Sequence, residues 1–414
     1  MPRVTLVNRF AYPDDSPTSR LMTDLATMLA TARPDIEIDI LACNRHYNGA
    51  ADALPAREQV GRLRITRLWV PSASRAGLLV RALAYYLFYL QGLFTLLFRL
   101  RRNDLVICMT DPPMFNVLAS LAAQIRGAQM IQWIQDLYPD VVQSAGLMQR
   151  AAPLLRFLGA LRRTAFRASS RLVVIGEGMR DRLERDGSGC PIEVIPNWAN
   201  GDHLRPVPRE QLPLSKEWLP PCRFVVGYFG NLGFAHNFHS SLQAALRLRD
   251  RIEVQFVWVG DGSRRPAFLE ALQALQLSNV HWQGQQPFER MPEILGIADI
   301  HLVMLDPQFD EVLVPSKTYS ALAAGRGLLF LGNPSSELAR LIHKHQVGVV
   351  VAMDDVDGIV AAIHQLADDP EECVRMGQRA RQLFDDQFEH RRVMDRWQQL
   401  IDQLLPPTVD IKKR

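Results

Sequence analysis

The sequence predicts an α/β protein built from two doubly wound domains with mostly parallel sheets. Three observations predict it. Short apolar runs alternate with amphipathic helical stretches along almost the whole chain. A Pro-rich stretch at residues 197–221 interrupts the alternation near the middle. The same alternation then restarts, as it does when a second sheet is wound.

In the first half, residues 4–7, 36–41, 63–68, 104–109, 130–134, 172–175 and 194–196 read as strands. Between most of them lie amphipathic helices, such as 20–32 and 115–125. The stretch at 197–221 contains RPVPREQLPLSKEWLPP and reads as an interdomain linker. Strand-like runs follow at 224–229, 254–259, 280–283, 300–305, 328–331 and 349–351. A helix at 391–405 and a basic tail at 412–414 close the chain. The expected divisions are residues 1–197, residues 198–390, and a closing segment of 391–414.

Composition narrows the function classes. The 414 residues carry 48% hydrophobic and 22% charged side chains, those of a globular protein with large cores. A net charge of +3 without an aromatic-interleaved basic stripe excludes a nucleic-acid binder. The 5 cysteines are scattered and odd in number, without C-x-x-C or Cys/His ligand spacing. Neither a disulfide framework nor a zinc site is implied, and a reducing compartment is expected. Met1 is followed at once by the strand-like VTLV, with no secretory apolar run. The sequence also holds no convincing Asp-x-Asp metal motif. Asp355-Val356-Asp357 has the spacing, but it opens a helix and reads as an N-cap.

Residues 78–98, LLVRALAYYLFYLQGLFTLLF, stand apart. Such a run of roughly 20 apolar residues is long enough to span a bilayer. A span is rejected because strands before and after it belong to one sheet. Arg75, Arg99, Arg101 and Arg102 flank the run, and Tyr85, Tyr86 and Tyr89 suit a membrane–water boundary. A helix lying in the interface, with arginines on anionic headgroups, is expected. A buried core helix is the alternative.

The segment VPSKTYSALAAG, residues 314–325, follows an apolar strand and opens into a helical pattern. Pro315 suits a first helical turn, and Val314, Pro315 and Ser316 lead into it. N–H groups at such a start, at the carboxyl end of a sheet, bind phosphate. Lys317 adds a full charge there. An ordinary capped helix with a solvated lysine is the bland alternative. In GYFGNLG, Gly230 and Gly233 let backbone approach a ligand, and Asn231 faces a diphosphate from the side opposite Lys317. His236 and Asn237 follow closely. In the first half, Asp136 ends the strand MIQWI, and Asp111 with Pro112 ends the previous strand. Asp136 can accept a hydrogen bond from a hydroxyl, or cap a helix.

Taken together, several segments in order resemble a family 4 glycosyltransferase of the branch that builds bacterial surface polysaccharides. They are RFAYPDDSPTSRLMTDLATMLA, TDPPMFNVLASLAA, WIQDLYPD, VIGEGMRDRL with VIPNWAN, VVGYFGNLGFAHNF, VGDG, and VPSKTYSALAAG. The resemblance implies a GT-B fold, two Rossmann-like domains facing across an interdomain cleft, without a metal or other cofactor. It implies a donor site from Gly230, Asn231, Gly233, His236, Val314, Pro315, Ser316 and Lys317. Asn197 and Trp198 at the domain junction, Gln285 in the base-binding loop, and Glu337 belong to that site by the same resemblance. Asp136 and Lys317 are the catalytic candidates, with Asp111 and Pro112 on the acceptor side. Two departures stand out. Gln135 sits where relatives carry a histidine beside the aspartate. The family's paired donor-region glutamates fall on Val312 and Ser320, with Glu311 one place off.

The expected activity is transfer of a hexose from a nucleotide-sugar, expected to be UDP-linked, to a polyprenyl-diphosphate-linked saccharide. The resemblance implies retention of configuration and a cytoplasmic enzyme peripheral on the inner membrane face. One rival is a nucleotide-sugar 2-epimerase on the same fold, which needs no lipid-facing helix. Another is a non-catalytic subunit that binds nucleotide-sugar, since the ribose glutamate is missing.

Overall fold

The computed structural model describes residues 1–47, 52–72, 77–146 and 151–406. Arg75 and the basic tail at 412–414 lie outside the described residues. The chain forms two compact units, Met1–Pro196 with Met394–Arg414, and Asn197–Val393.

The first unit runs β1 (Arg3–Val7), α1 (Pro17–Ala32), β2 (Glu37–Cys43), β3 (Arg57–Val60), β4 (Leu63–Leu68) and α2 (Leu78–Arg99). It continues through β5 (Leu105–Met109), α3 (Phe115–Arg126), β6 (Gln129–Ile134), α4 (Asp140–Ser144), α5 (Ala152–Arg167), β7 (Arg171–Val174), α6 (Glu177–Arg185) and β8 (Ile192–Val194). Its sheet has the order β3-β4-β2-β1-β5-β6-β7-β8. Central strands such as β5 are buried throughout, so they read as unbroken apolar runs. Among the described residues only β3 pairs antiparallel, with β4. Its REQV alternates between exposed and half-buried at the edge, so no apolar run announced it.

The strand order reverses between β1 and β5, which makes their carboxyl ends the place where such sheets leave a crevice. Because β4 and β5 share one sheet, α2 connects them on one side and does not cross a bilayer. This helix is nevertheless long and apolar enough to do so. It has two apolar faces. Ala84, Phe88 and Leu96 enter the core beside Phe115 and Ala119 of α3. Gly92 permits the close approach, since a Cβ there would meet the Phe115 ring at 2.7 Å. Leu79, Leu83, Tyr86, Leu90, Phe94 and Phe98 form the opposite stripe and are exposed. The helix is therefore neither wholly core nor wholly surface.

The second unit contains α7 (Pro213–Trp218), β9 (Phe224–Phe229), α8 (His239–Arg247), β10 (Val254–Val259), α9 (Arg265–Leu275), β11 (Val280–Gln283) and α10 (Met291–Gly296). Then come β12 (Ile300–Met304), α11 (Lys317–Ala323), β13 (Gly327–Gly332), α12 (Glu337–His345), β14 (Gly348–Ala352), α13 (Val356–Asp368) and α14 (Pro370–Gln387), and α15 (His390–Leu404) runs from the end of this unit into the first. The parallel sheet has the order β11-β10-β9-β12-β13-β14, so its reversal falls between β9 and β12. The Pro-rich stretch at 197–221 is not a bare linker. It carries a 3-10 turn, Arg209–Gln211, and α7, and it buries Leu212, Leu214 and Leu219. Its prolines start short helices, which composition alone could not separate from an extended spacer. Asp355 caps α13, accepting from the Gly358 N–H at 2.8 Å.

The segment from Met394 belongs to the first unit's core. Trp397 is fully buried and packs edge-on against Trp133 of β6, centroids 4.7 Å apart. The Arg33 guanidinium closes the arrangement, bonding Asp35, Asp402 and the Leu405 carbonyl. Trp397→Ala is expected to destabilise the protein by about 3–5 kcal/mol, the scale of a large aromatic truncated in a core. Urea denaturation followed by fluorescence measures it. A midpoint matching wild type would place the closing helix outside the core.

Candidate functional site

In the first unit, the candidates converge at the carboxyl ends of β1, β5 and β6. Thr110 follows β5, and its hydroxyl accepts the N–H groups of Gln135 and Asp136, both at 3.2 Å. That pair of bonds fixes the turn after β6. Arg162, buried on α5, holds the far side of the turn by donating to the Tyr138 carbonyl and pairing with Asp140 and Asp186. Asp136 caps no helix, because α4 begins at Asp140 with Pro139 before it. Burial pushes the Asp136 carboxyl up to about 6. Burial likewise pushes Asp111 up to about 6, with Arg9 working against it and Asp136 and Asp14 adding to it.

Arg9 was not singled out in the sequence. Its N–H donates to the Asp111 carbonyl at 2.7 Å. Its guanidinium donates to the Tyr85 hydroxyl at 2.6 Å and lies 4.4 Å from that ring's centroid. Tyr89, one turn on, donates to the Pro113 carbonyl. The inner tyrosines of α2 thus reach the same corner as Asp111 and Pro112. Pro112 itself is buried and shapes the turn.

In the second unit, the loops after β9 and β10 nest into one another. Leu232 N–H donates to the Asp261 carbonyl at 2.7 Å, and Arg264 N–H to the Leu232 carbonyl at 3.1 Å. Only glycine fits where they touch. Gly260 has φ +143, and a Cβ there would meet the Gly230 carbonyl oxygen at 2.1 Å. Gly230 itself has φ +125 and lies beside the Lys317 side chain.

Lys317 is the first residue of α11. Its ammonium donates to the Tyr228 hydroxyl at 2.6 Å and sits 3.9 Å from the ring centroid. Tyr228 stacks on Trp258, centroids 4.5 Å apart, and donates to the Asn231 carbonyl at 2.8 Å. Among the described residues the ammonium has no carboxylate in salt-bridge range. Burial pushes its pKa well below the usual lysine range. His236 is held neutral by burial and by the Lys317 and Arg264 charges. Its Nδ1 accepts the Gly233 N–H at 3.0 Å, so the proton lies on Nε2.

Gly230, Asn231, Gly233, His236 and Lys317 are thus brought together, with Tyr228 as the link that sequence reasoning missed. Tyr228 lies inside a fully buried strand, so its pattern is that of core. The helix register needs a correction. Pro315 is not in the first turn, since Ser316 is the N-cap and α11 starts at Lys317. Ser316 is exposed and its side chain caps nothing, while Val314 is half-buried. The hydroxyl of Ser320 donates to the Lys317 carbonyl at 3.0 Å, so it is used within its own helix. Asn197 is buried, and its backbone bonds the Tyr319 hydroxyl, which also feels the Glu337 charge. Trp198 packs on His390, centroids 6.3 Å apart. Gln285 is exposed, just beyond the edge strand β11.

The second unit therefore presents a cation and glycine-lined backbone, suited to a diphosphate. The first presents carboxylates that titrate near neutrality, suited to accepting a hydroxyl proton. Known proteins match both parts. A family model described as a glycosyl transferase 4-like domain matches residues 19–198, and one for glycosyl transferases group 1 matches residues 223–369. WbjE of Pseudomonas aeruginosa, carrying the description "Probable glycosyltransferase", is 27% identical over 67% of this chain and 70% of its own. WcaI of Escherichia coli K12, whose description concerns colanic acid biosynthesis, is 24% identical over 59% of this chain and 61% of its own. The solved structure of HepE from Anabaena with UDP and glucose is similar in fold, with a TM-score of 0.67 at 13% identity. It covers 97% of this chain and 100% of that one.

Because the Asp136 carboxyl titrates near 6 when folded and near 3.8 when not, the folded state holds its proton more tightly. Stability from this group therefore falls as pH rises from about 4 to about 6, and stays lower above. Asp136→Asn is expected to be more stable than wild type at about pH 8, by about 1–3 kcal/mol, with the gain vanishing below about pH 4. Urea midpoints at both pH values test this. A mutant less stable at both would mark Asp136 as a structural hydrogen-bond acceptor.

Proposed function

We propose that this chain, a member of the family 4 glycosyltransferases of the GT-B type, moves a hexose from a UDP-linked donor to a polyprenyl-diphosphate-linked saccharide in surface polysaccharide synthesis, at the cytoplasmic membrane face. The observation that carries the reading is Lys317, half-buried on Tyr228 without a carboxylate partner among the described residues, next to Gly230. A cation kept in that state gains most when a diphosphate approaches, and gains further as the sugar bond breaks and charge builds on the leaving oxygen. The N–H groups of Ser316 and Lys317, without partners among the described residues, add donors to the same place. Asn231, Gly233 and neutral His236 complete the donor loop, with Asn197 and Glu337 further along.

On the acceptor side, Asp136 receives the hydroxyl proton or steadies positive charge on the sugar, and Asp111 and Pro112 shape its approach. Retention of configuration follows the family resemblance. The UDP of the HepE complex and the colanic acid description of WcaI support the donor and pathway readings. The exposed stripe of α2 supports a lipid-linked acceptor, because its inner tyrosines reach Arg9 and the Pro113 carbonyl, beside Asp111, while its outer face is apolar. A surface helix of that kind has no use in a 2-epimerase.

Lys317→Ala should lose about 2–4 kcal/mol of transition-state stabilisation, read as kcat/KM with radiolabelled donor and membrane extract, with little change in melting temperature. A chelator should leave wild-type turnover unchanged, because Lys317 and the loop N–H groups meet the diphosphate charge. Wild-type turnover in the mutant would remove Lys317 from the site. Binding without turnover in the wild type would favour the non-catalytic subunit.

Ser320 stands where the family's ribose glutamate is expected, and its hydroxyl is already engaged with Lys317. Ser320→Glu should tighten UDP binding by roughly ten-fold, the scale of a hydrogen bond to a charged group. Calorimetric titration reads this directly. Unchanged affinity would show that the ribose is not held near Ser320, and weaker binding would show that another acid, with Glu311 the nearest in sequence, already holds it.

A further inference from the structure

At the far end of α2 from Tyr85, a groove of about 630 Å³ opens at the amino-terminal edge of the first unit's sheet. It is lined by arginines from five elements, β1, β3, β4, α2 and α3, by Arg101 just after α2, and by Phe98. Its carboxylates are largely committed elsewhere. Asp39 and neighbouring Glu37 pair with Arg3 and Arg64, and Glu58 pairs with Arg67. Arg57, Arg99, Arg101 and Arg126 have no carboxylate partner among the described residues. Arg99 donates to the Thr66 hydroxyl at 2.7 Å, and Arg126 to the Leu100 carbonyl at 2.9 Å. Four guanidiniums therefore line the groove beyond those that its own carboxylates engage.

Two further observations say what neutralises them. Phe98 belongs both to the groove and to the exposed apolar stripe of α2, so the basic and apolar surfaces are continuous. The stripe widens onto neighbouring helices, with Leu121 and Ile125 exposed on α3 and Leu154 and Phe157 on α5. These helices, α2, α3 and α5, contain no Asp or Glu at all, yet Arg81, Arg99, Arg126, Arg156, Arg163 and Arg167 lie on them. A soluble anion would need the arginines but not the apolar surface beside them. A phospholipid supplies a phosphate at the depth of a guanidinium and acyl chain at the depth of a Phe.

We propose that this groove binds the phosphate of an anionic phospholipid headgroup, and so anchors the carboxyl-terminal end of α2 in the membrane surface. The inference rests on the membrane-facing reading of α2 given above. With about 1.5 Å of rise per residue, α2 is about 33 Å long. Tyr85, which holds Arg9, and Arg99 are 14 residues apart on this helix, about 21 Å along its axis, so the lipid phosphate and the corner at Arg9 and Asp111 meet separate turns of it. The headgroup site is thus separate from the residues proposed to meet the acceptor.

The test measures cosedimentation of the full chain with vesicles of phosphatidylglycerol mixed with phosphatidylcholine, and of phosphatidylcholine alone. The triple variant Arg57→Gln, Arg101→Gln, Arg126→Gln should bind the anionic vesicles about 10- to 100-fold more weakly than wild type. Arg101→Gln alone, at an exposed side chain, should show part of that loss with an unchanged melting curve. A control triple of equal charge, Arg249→Gln, Arg265→Gln, Arg391→Gln, should lose no more than about two-fold. Equal losses in the two triples would reduce the effect to net charge and overturn the groove. Wild-type binding untouched by the groove triple would overturn the groove while leaving the membrane reading standing. No wild-type binding to anionic vesicles would overturn that reading itself. Inorganic phosphate raising the melting temperature of wild type, but not of the groove triple, with no vesicle binding by either, would identify a soluble anion site instead.

Discussion

The lysine at the start of α11 is the constraint around which the second unit is arranged. An ammonium taken out of water without an anion is unfavourable, and its lowered pKa records that cost. The structure offsets it with the Tyr228 hydroxyl and ring rather than with a carboxylate. A carboxylate would neutralise the charge permanently. A phenol holds the amine in position yet leaves its electrostatic demand open for a ligand. Everything nearby serves that position. Trp258 fixes the Tyr228 ring, Gly230 makes room beside the lysine, and Gly260 lets the neighbouring loop close behind it. His236 stays neutral in the same field, so it adds no second cation of its own.

The first unit answers with the opposite chemistry. Asp111 and Asp136 end adjacent parallel strands, and burial raises both toward neutrality. The turn that carries Asp136 is held from two sides, by Thr110 and by the buried Arg162. Such support matters because a group that must exchange a proton in a fixed geometry is least tolerant of a loose loop. One helix then ties this corner to an apolar surface. Its inner face builds the core, its inner tyrosines reach the carboxylate corner, and its outer stripe faces solvent.

Much of this architecture was legible in the sequence, because buried parallel strands leave unbroken apolar runs and the helices between them keep a 3.6-residue period. The carboxyl-end positions of Asp111, Asp136, Gly230 and Lys317 followed from the same pattern. What escaped had physical reasons. The edge strand β3 is polar, so it lacks the run that marks its neighbours. The stretch at 197–221 is rich in proline, and proline suits helix starts as well as spacers. Tyr228 is hidden inside a core strand, where aromatic residues are ordinary. Arg9 lies far in sequence from Tyr85, and only the fold brings them together. The closing helix returns to the first unit through Trp397, a contact no local period can announce.

The central claim is that Lys317 is an unneutralised cation waiting for a diphosphate. Its ionisation can be followed directly by NMR of protein labelled at the lysine side-chain nitrogen and ε-carbon, assigned with Lys317→Arg. Without ligand the resonance should titrate well below the other lysines. Saturating UDP should move that titration back into the ordinary lysine range, because the diphosphate stabilises the charged form. A Lys317 that titrates with the other lysines in the free protein, or one that does not respond to UDP, would contradict the account.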